Sequence, residues 1–232
     1  MKYKYPSRSV FVRHAESVGN VESHDGAAEL AVPNHAFEST HHGRQQSQIT
    51  GNFLMEKYPD GFDVGFVSTF IRSQETYAGF GGDSHFPRPI IDSRLNEKYD
   101  GIFHGLTNAE IDRHLPLGQM LRAKEGWYHF SPPGGRNGPD VELAIYSFLD
   151  MLNRDYAGKR CLMVCHGNWL FLLDRIMENM SARDIEQQRK TTTIPNCCVT
   201  AYESGPHGLK RTLYRFVPWE GKLEKTKGEH FA

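Results

Sequence analysis

The sequence predicts an α/β fold, a three-layer α/β/α sandwich around a mostly parallel central sheet. Three observations lead there. Short apolar runs at residues 9–12, 62–67 and 160–165 alternate with longer segments of helical period, the pattern of strands joined by crossover helices. Each run is followed within two residues by a polar or basic side chain: His14, Ser68 and His166. The length, 232 residues, suits one domain, so residues 1–232 are read as a single unit.

The elements follow in order. Residues 9–12 form the first strand, and residues 21–39, rich in Gly, Ala, His and Glu without a clear period, read as a loop beside the pocket. A helix is expected over 43–57, with Ile49, Phe53 and Leu54 on its inner face. Residues 62–67 make the second strand and 70–80 the helix after it. Ile90-Ile91 is a short strand leading into Leu95-Asn96-Glu97. Thr107-Asn108-Ala109-Glu110 fits a capping box opening a helix towards Arg122. The Pro- and Gly-rich stretch 131–139 excludes regular structure and reads as a loop. Residues 140–153 carry Val141, Ile145, Phe148 and Leu149 on one helical face. A strand over 160–165 feeds a helix over 168–180, and 199–203 and 209–217 look like closing strands. Trp127-Tyr128-His129-Phe130 reads as a core cluster at a helix end or as a substrate-side wall.

Composition narrows the function. A formal charge of -1 supplies no bulk attraction to nucleic acid or an anionic membrane, so any affinity for anions is local. No apolar stretch approaches the roughly 18–20 residues that span a bilayer, and the first residues lack the apolar core of a secretion signal. The four cysteines form neither a disulfide framework nor a Cys-x-x-Cys pair, and buried reduced thiols in a cytoplasmic protein are expected. His24, His35, His41 and His42, with Glu22, Asp25 and Glu38 nearby, lack the spacing of a built metal site. His41 and His42 remain candidates for substrate contact. No metal and no cofactor is expected, and the oligomeric state is open.

The chemistry concentrates in Val10-Phe11-Val12-Arg13-His14-Ala15-Glu16-Ser17-Val18-Gly19-Asn20. An apolar run ending in Arg-His reads as a buried strand that delivers two basic side chains to the mouth of a sheet. Ligands of such sheets sit beyond the carboxyl ends of the strands. A neutral imidazole there can attack phosphorus while a fixed guanidinium holds the phosphate oxygens.

Five segments in order resemble motifs of the histidine phosphatase superfamily, which includes the cofactor-dependent phosphoglycerate mutases and many acid phosphatases. Arg13-His14-Ala15-Glu16-Ser17 through Asn20 is similar to its Arg-His-Gly signature, with Ala15 in place of the usual glycine. Thr40-His41-His42-Gly43-Arg44-Gln45-Gln46 resembles its Leu-Thr-x-x-Gly-x-x-Gln element, and Ser68 to Thr76 its Ser-x-x-x-Arg-x-x-x-Thr element. Leu95-Asn96-Glu97 and His166-Gly167 are similar to its Leu-x-Glu and late His-Gly. The resemblance implies a phosphoglycerate mutase-like fold and metal-independent hydrolysis of phosphomonoesters, small-molecule or protein, through a covalent phosphohistidine. It makes His14 the nucleophile, Arg13 and Arg72 the phosphate clamps, and Asn20 an amide donor to the same phosphate. His166 becomes the second histidine at the phosphate, and Glu97 the general acid. Gly167 allows the tight turn after His166, and Asn168 opens a helix whose amino end faces the anion.

Two departures bear on the activity. Val21-Glu22-Ser23-His24-Asp25 lacks the Asn-rich, Trp-containing continuation of the mutases, whereas His166-Gly167-Asn168 is closer to the mutase pattern than to the His-Gly-Gly of phosphatases. Pro133-Gly134-Gly135-Arg136-Asn137 replaces Pro-Gly-Gly-Glu-Ser, and an arginine in that wall would favour a more anionic substrate. The expected activity is phosphatase. A mutase-type phosphotransferase and a non-catalytic phosphate-binding module are the alternatives, with a metal-binding histidine-rich protein behind them.

Overall fold

Strand β1 (Arg8–Arg13) runs through the middle of the sheet, and Val10, Phe11 and Val12 are all buried because helices cover both faces. The computed structural model describes residues 4–22, 32–82, 84–206, 208–224 and 226. β1 pairs in parallel with β4 (Arg160–Cys165), which pairs in parallel with β2 (Val64–Val67), itself beside the short β3 (Ile90–Ile91). On the other side β1 meets β5 (Val199–Gly205) antiparallel, and β6 (Gly208–Phe216) closes that edge. The six-stranded order is β3-β2-β4-β1-β5-β6.

Alternation along the strands sends side chains to two different cores. Val10, Val12, Leu162 and Val164 meet Leu54 and Tyr58, from helix α2 (His41–Lys57) and its end, and Tyr77 of α3 (Ile71–Ala78). Phe11, Cys161, Met163 and Cys165 face the opposite layer. There they join Ile145 and Phe148 of α6 (Gly138–Asp155), Trp169 of α7 (Gly167–Met177) and Ile185 of α8 (Ala182–Thr191). Each fully buried Phe or Leu of these clusters stabilises the fold by roughly 1.5–3 kcal/mol. The expected three layers and mostly parallel sheet are present.

The differences from the sequence reading have local causes. The stretch 107–122 is two helices, α4 (Asn108–His114) and α5 (Pro116–His129). Thr107 and Glu110 do form the capping box, but Pro116 forces Leu115 out of helical geometry (φ -138°, ψ 51°) and splits the run. Helix α6 starts at Gly138, because Pro139 fits a first helical turn and Asn137 with Asp140 caps it. Two helices were not anticipated: the short α1 (Val18–Glu22), which occupies the start of the expected loop, and α8, opened by a Ser181–Asp184 capping box. Residues 23–31 of that loop, including His24 and Asp25, lie outside the described residues. No helix among the described residues is long and apolar enough to cross a membrane.

Candidate active site

The three parallel strands at the centre end side by side, and each hands over a polar residue at its carboxyl end. His14 follows β1, Ser68 follows β2 and His166 follows β4. Their backbone continues the ladder: His14 N–H donates to Cys165 O at 2.9 Å and Ser68 N–H to Val164 O at 3.4 Å. The convergence expected from the strand pattern is therefore present, and the His14 and His166 rings lie 5.1 Å apart, centroid to centroid.

The hydrogen bonds of His14 assign its tautomer. Nδ1 lies 2.7 Å from Ala15 O, which can only accept, so Nδ1 carries the proton. Nε2 in turn accepts from Arg72 Nε at 3.1 Å. Burial, and then the charges of Arg72, His166 and Arg13, hold this imidazole well below its usual pKa. The result is a neutral ring with its lone pair on Nε2, the form that can act as a nucleophile.

His166 is also fully buried, and burial followed by Arg72 and Arg13 depresses its pKa well below the ordinary value. Its Nε2 sits 2.7 Å from Ser68 Oγ, which already accepts from Phe70 N–H at 3.2 Å. Among the described residues, His166 Nε2 is the one partner of this oxygen that can take the serine proton, so Oγ–H donates to Nε2, leaving the N–H on Nδ1. That nitrogen is buried without a hydrogen-bond partner among the described residues. An orphaned donor here costs about 1–3 kcal/mol, and an incoming anion would satisfy it.

Arg13 is buried on β1, and its Nη1 donates to Ile194 O. Arg72 projects from α3; besides His14 it donates from Nη1 to Asn34 O at 2.6 Å, and its guanidinium rests 4.8 Å from the Phe70 ring. Burial brings Arg72 down to about 10, so it stays charged at neutral pH. Asn20, on α1, has its Oδ1 held by Ser17 N–H at 3.0 Å, Ser17 Oγ at 3.1 Å and Asn196 Nδ2 at 3.3 Å. Those donors fix the amide flip, since only the oxygen can accept them.

Glu97 is pinned by two backbone donors, Lys98 N–H at 2.7 Å on Oε1 and Asn168 N–H at 3.2 Å on Oε2. Burial raises its pKa; the two backbone bonds and Arg72 oppose that shift without cancelling it. A carboxyl group poised to hold a proton closer to neutrality can act as an acid. Asn168 stands in the first turn of α7, its Oδ1 3.4 Å from Arg189 Nε, and Gly167 begins the helix directly after His166.

A cavity of about 490 Å³ opens onto this group, lined by Arg13, His14, Asn20, Arg72, Glu97 and Asn168 among others. His166 and Gly167 are not part of its lining, although the His166 ring stands 5.1 Å from that of His14, which is. Trp127 and Phe130 do line it, whereas Tyr128 belongs to the core and His129 is exposed, so both readings of that cluster apply to different members. Gly126, at φ 76°, makes the turn that aims them; a Cβ there would meet the Glu186 carboxylate. His41 and His42 are absent from the lining: His41 is exposed at the start of α2 and His42 packs 6.0 Å from Trp219. Arg136 is not a wall either, because its guanidinium turns back to cap Asp140 O at 2.8 Å.

The other motif residues hold the loop after β1 in place. Ala15 N–H donates to Thr76 Oγ1 at 2.8 Å, Glu16 N–H to Gln46 Oε1 at 2.9 Å, and Thr40 Oγ1 to Glu16 Oε1 at 2.6 Å. Gly43 touches the Glu16 carbonyl so closely that a Cβ would sit 2.1 Å from that oxygen. The methyl of Ala15 packs with Cys197 and Trp219, which accommodates the missing glycine. Sequence reasoning missed Asn196, whose Nδ2 donates to His14 O at 3.0 Å as well as to Asn20; an Asn between Pro and Cys carries no recognisable signal. It also missed His104, which lines the cavity with a buried Nε2 lacking a hydrogen-bond partner among the described residues.

Fold and cavity together define an α/β protein with two imidazoles and two guanidinium groups gathered at the carboxyl ends of parallel strands. The model of the histidine phosphatase superfamily (branch 1) matches residues 9–215, and the chain belongs to that superfamily. Among curated relatives, the 2,3-bisphosphoglycerate-dependent phosphoglycerate mutase 2 of Gloeobacter violaceus is 28% identical over 207 residues, covering 86% of each chain. The solved structure of the α-ribazole phosphatase from Shigella flexneri superposes with a TM-score of 0.73 at 20% identity, over 90% of this chain and 98% of that one. A mycobacterial glucosyl-3-phosphoglycerate phosphatase gives 0.67 at 17% identity, over 90% of this chain and 99% of that one.

Proposed function

We propose that the protein hydrolyses phosphomonoesters of small molecules through a covalent phosphohistidine on His14, without a metal or cofactor. The observation that carries this reading is the Nε2 lone pair of a buried, neutral His14 beside the Arg72 guanidinium. As the ester enters, Arg72 Nε–H passes from Nε2 to a phosphate oxygen, and the freed lone pair attacks phosphorus in line with the ester oxygen. As the N–P bond forms and the P–O bond breaks, Glu97 gives its proton to the departing alcohol. Arg13, Arg72, the Asn20 amide and the His166 Nδ1–H take the charge spread over the three equatorial oxygens. Gly167 and Asn168 set the start of α7 and hold Glu97 through the Asn168 N–H. In the second step Glu97 removes a proton from water, which attacks phosphorus, releases inorganic phosphate and restores His14.

The four cysteines are free and buried, which suits a reducing, cytoplasmic compartment. Residues 1–232 are read as one domain, and neither nucleic acid nor a membrane is a partner in this reading. A second reading, a mutase-type phosphotransferase, is favoured by the identity to the Gloeobacter mutase over most of both chains. A non-catalytic phosphate-binding module would bind without turnover.

The test is turnover of an aryl phosphate with a chelator present, alongside interconversion of phosphoglycerates with bisphosphoglycerate added. Hydrolysis unaffected by the chelator is expected, together with a phosphoryl mass increment on wild-type protein in rapid-quench spectrometry. His14→Ala should lose at least about a thousandfold in kcat, the scale of removing a covalent nucleophile. Near-normal rates in that variant sink the mechanism, and faster phosphoglycerate interconversion than hydrolysis moves the activity to the mutase reading.

A further inference from the structure

Away from the phosphate end, the cavity has a wall of different chemistry. Phe103, Leu106, Ile111 and Phe130 line it and form, with Leu115, an apolar cluster separate from both sheet cores. Phe103 and Phe130 are stacked, 5.5 Å between centroids. Beside that wall stand Lys98, Trp127 and Arg122, also part of the lining. Lys98 is buried, 3.8 Å from the Asp100 carboxylate and 5.8 Å from the Trp127 ring centroid, and Arg189 stacks on the same indole at 4.8 Å. The charges acting on this corner are Lys98, Arg122 and Arg189 against Asp100, Glu97 and Glu186. Arg189 and Glu186 are not part of the lining, and Glu186 is turned onto Tyr128 N–H at 3.1 Å. Glu97 belongs to the His14 end, and beyond it the charged side chains that line this corner are Lys98 and Arg122 against Asp100, two cations to one carboxylate.

An opening meant only for phosphate and a small polar alcohol gains nothing from four apolar side chains, because the benefit of such a wall is the apolar surface it removes from water on the ligand. We propose that the alcohol part of the substrate has an apolar body, laid on Phe103, Leu106, Ile111 and Phe130, and ends in a second anionic group held by Lys98 and Arg122. A carboxylate and a second phosphate share the chemistry that this corner recognises. The inference rests on the phosphate end of the ligand binding at His14, as proposed above.

Calorimetric titration of the full chain with non-hydrolysable n-alkyl phosphonates reads this wall without requiring turnover. From ethyl to hexyl phosphonate the Kd should fall by about fourfold per methylene while the chain stays on the wall. Replacing the terminal methyl by a carboxylate or a second phosphonate should tighten binding by roughly tenfold more, and the larger of the two gains identifies the anion. Arg122 is exposed, so Arg122→Gln leaves packing intact; there the gain from the terminal anion should shrink to about threefold or less while the chain-length dependence persists. A flat alkyl series, weaker binding of the doubly anionic ligands, or an unchanged gain in Arg122→Gln overturns the inference. The outcomes separate it from the hydrolase reading. The full phosphonate pattern without turnover of any ester removes the hydrolase and supports the wall, whereas ester hydrolysis with a flat phosphonate series removes the wall alone.

Discussion

Arg72 Nε donates to His14 Nε2 at 3.1 Å, so the guanidinium that faces the cavity also orients the ring nitrogen that faces it. The same side chain reaches Asn34 O through Nη1. A planar fork can hold a ring nitrogen and an oxygen at once in fixed geometry, which a lysine ammonium on a flexible stem cannot.

Arg72→Lys therefore keeps the positive charge and loses the geometry. The expected result is a fall of roughly 10²–10³ in kcat/KM, the range seen when a single preorganised donor to the transition state is removed. Steady-state kinetics on an aryl phosphate measure it. Retention of more than about a third of wild-type efficiency would mean that Arg72 acts only as a diffuse charge.

Glu97 should matter in proportion to how poor the leaving group is. Glu97→Gln is expected to lower kcat for alkyl phosphates by about 10²–10⁴, the usual range for a general acid. With a nitrophenyl ester, whose phenolate leaves unaided, phosphorylation of His14 should be much less affected, so the pre-steady-state burst survives. Because burial raises the pKa of this acid, the wild-type rate with alkyl esters should decline as pH rises through it, and that limb should vanish in the variant. Equal losses on both ester classes would remove Glu97 from the acid role.

Asn196 positions the loop rather than touching the cavity, since its Nδ2 bridges His14 O and Asn20 Oδ1. Asn196→Asp leaves the volume and removes the donor. The amide of Asn20 then loses one of the contacts that set its orientation, and kcat should fall by roughly tenfold to a hundredfold with a smaller change in KM. A drop in thermal stability with unchanged kcat would assign Asn196 a structural part only.

Stability should depend on pH through the two buried imidazoles. Their folded pKa values are depressed, mainly by burial, whereas in the unfolded chain they titrate at about 6.5. Below that pH the unfolded state binds more protons than the folded one, so stability falls as pH drops, by up to about 1.4 kcal/mol per pH unit for each histidine. Glu97 works in the opposite sense: its raised pKa makes the folded state the better proton acceptor just above the usual carboxylate range. Denaturant midpoints measured between about pH 8 and pH 5 check the sign, and His14→Gln should flatten the slope. A slope that is the same in both proteins would mean that the fold leaves the His14 pKa at its unfolded value.

Most of the phosphate end was legible because it depends on strands that announce themselves. Arg13, His14 and His166 stand at the ends of continuous apolar runs, and a buried parallel strand reads plainly in a sequence. Arg72 and Glu97 came from family motifs, not from periodicity. The bridging Asn196 was invisible because its role is set by two partners, 182 and 176 residues away. The Arg136 wall failed for a similar reason: a residue type at a motif position does not fix where a long side chain turns, and here the nearer Asp140 carbonyl won. Helix α8 was missed although Ser181 and Asp184 spell a capping box, since its polar exterior hides the single buried Ile185. The break at Pro116 is readable from the proline alone, which disfavours helical geometry at the residue before it.

His14 and His166 stand at separate strand ends and Arg72 on α3, whereas Lys98, Phe103, Leu106, Ile111, Arg122, Trp127 and Phe130 all come from one uninterrupted passage, 98–130, that begins directly after Glu97. Evolution, or a protein engineer, can thus swap a single cassette to alter which molecule is accepted and leave the bond-breaking apparatus alone. Chimeras that exchange this passage with a superfamily member of different taste are a direct route to new selectivities on an old reaction centre.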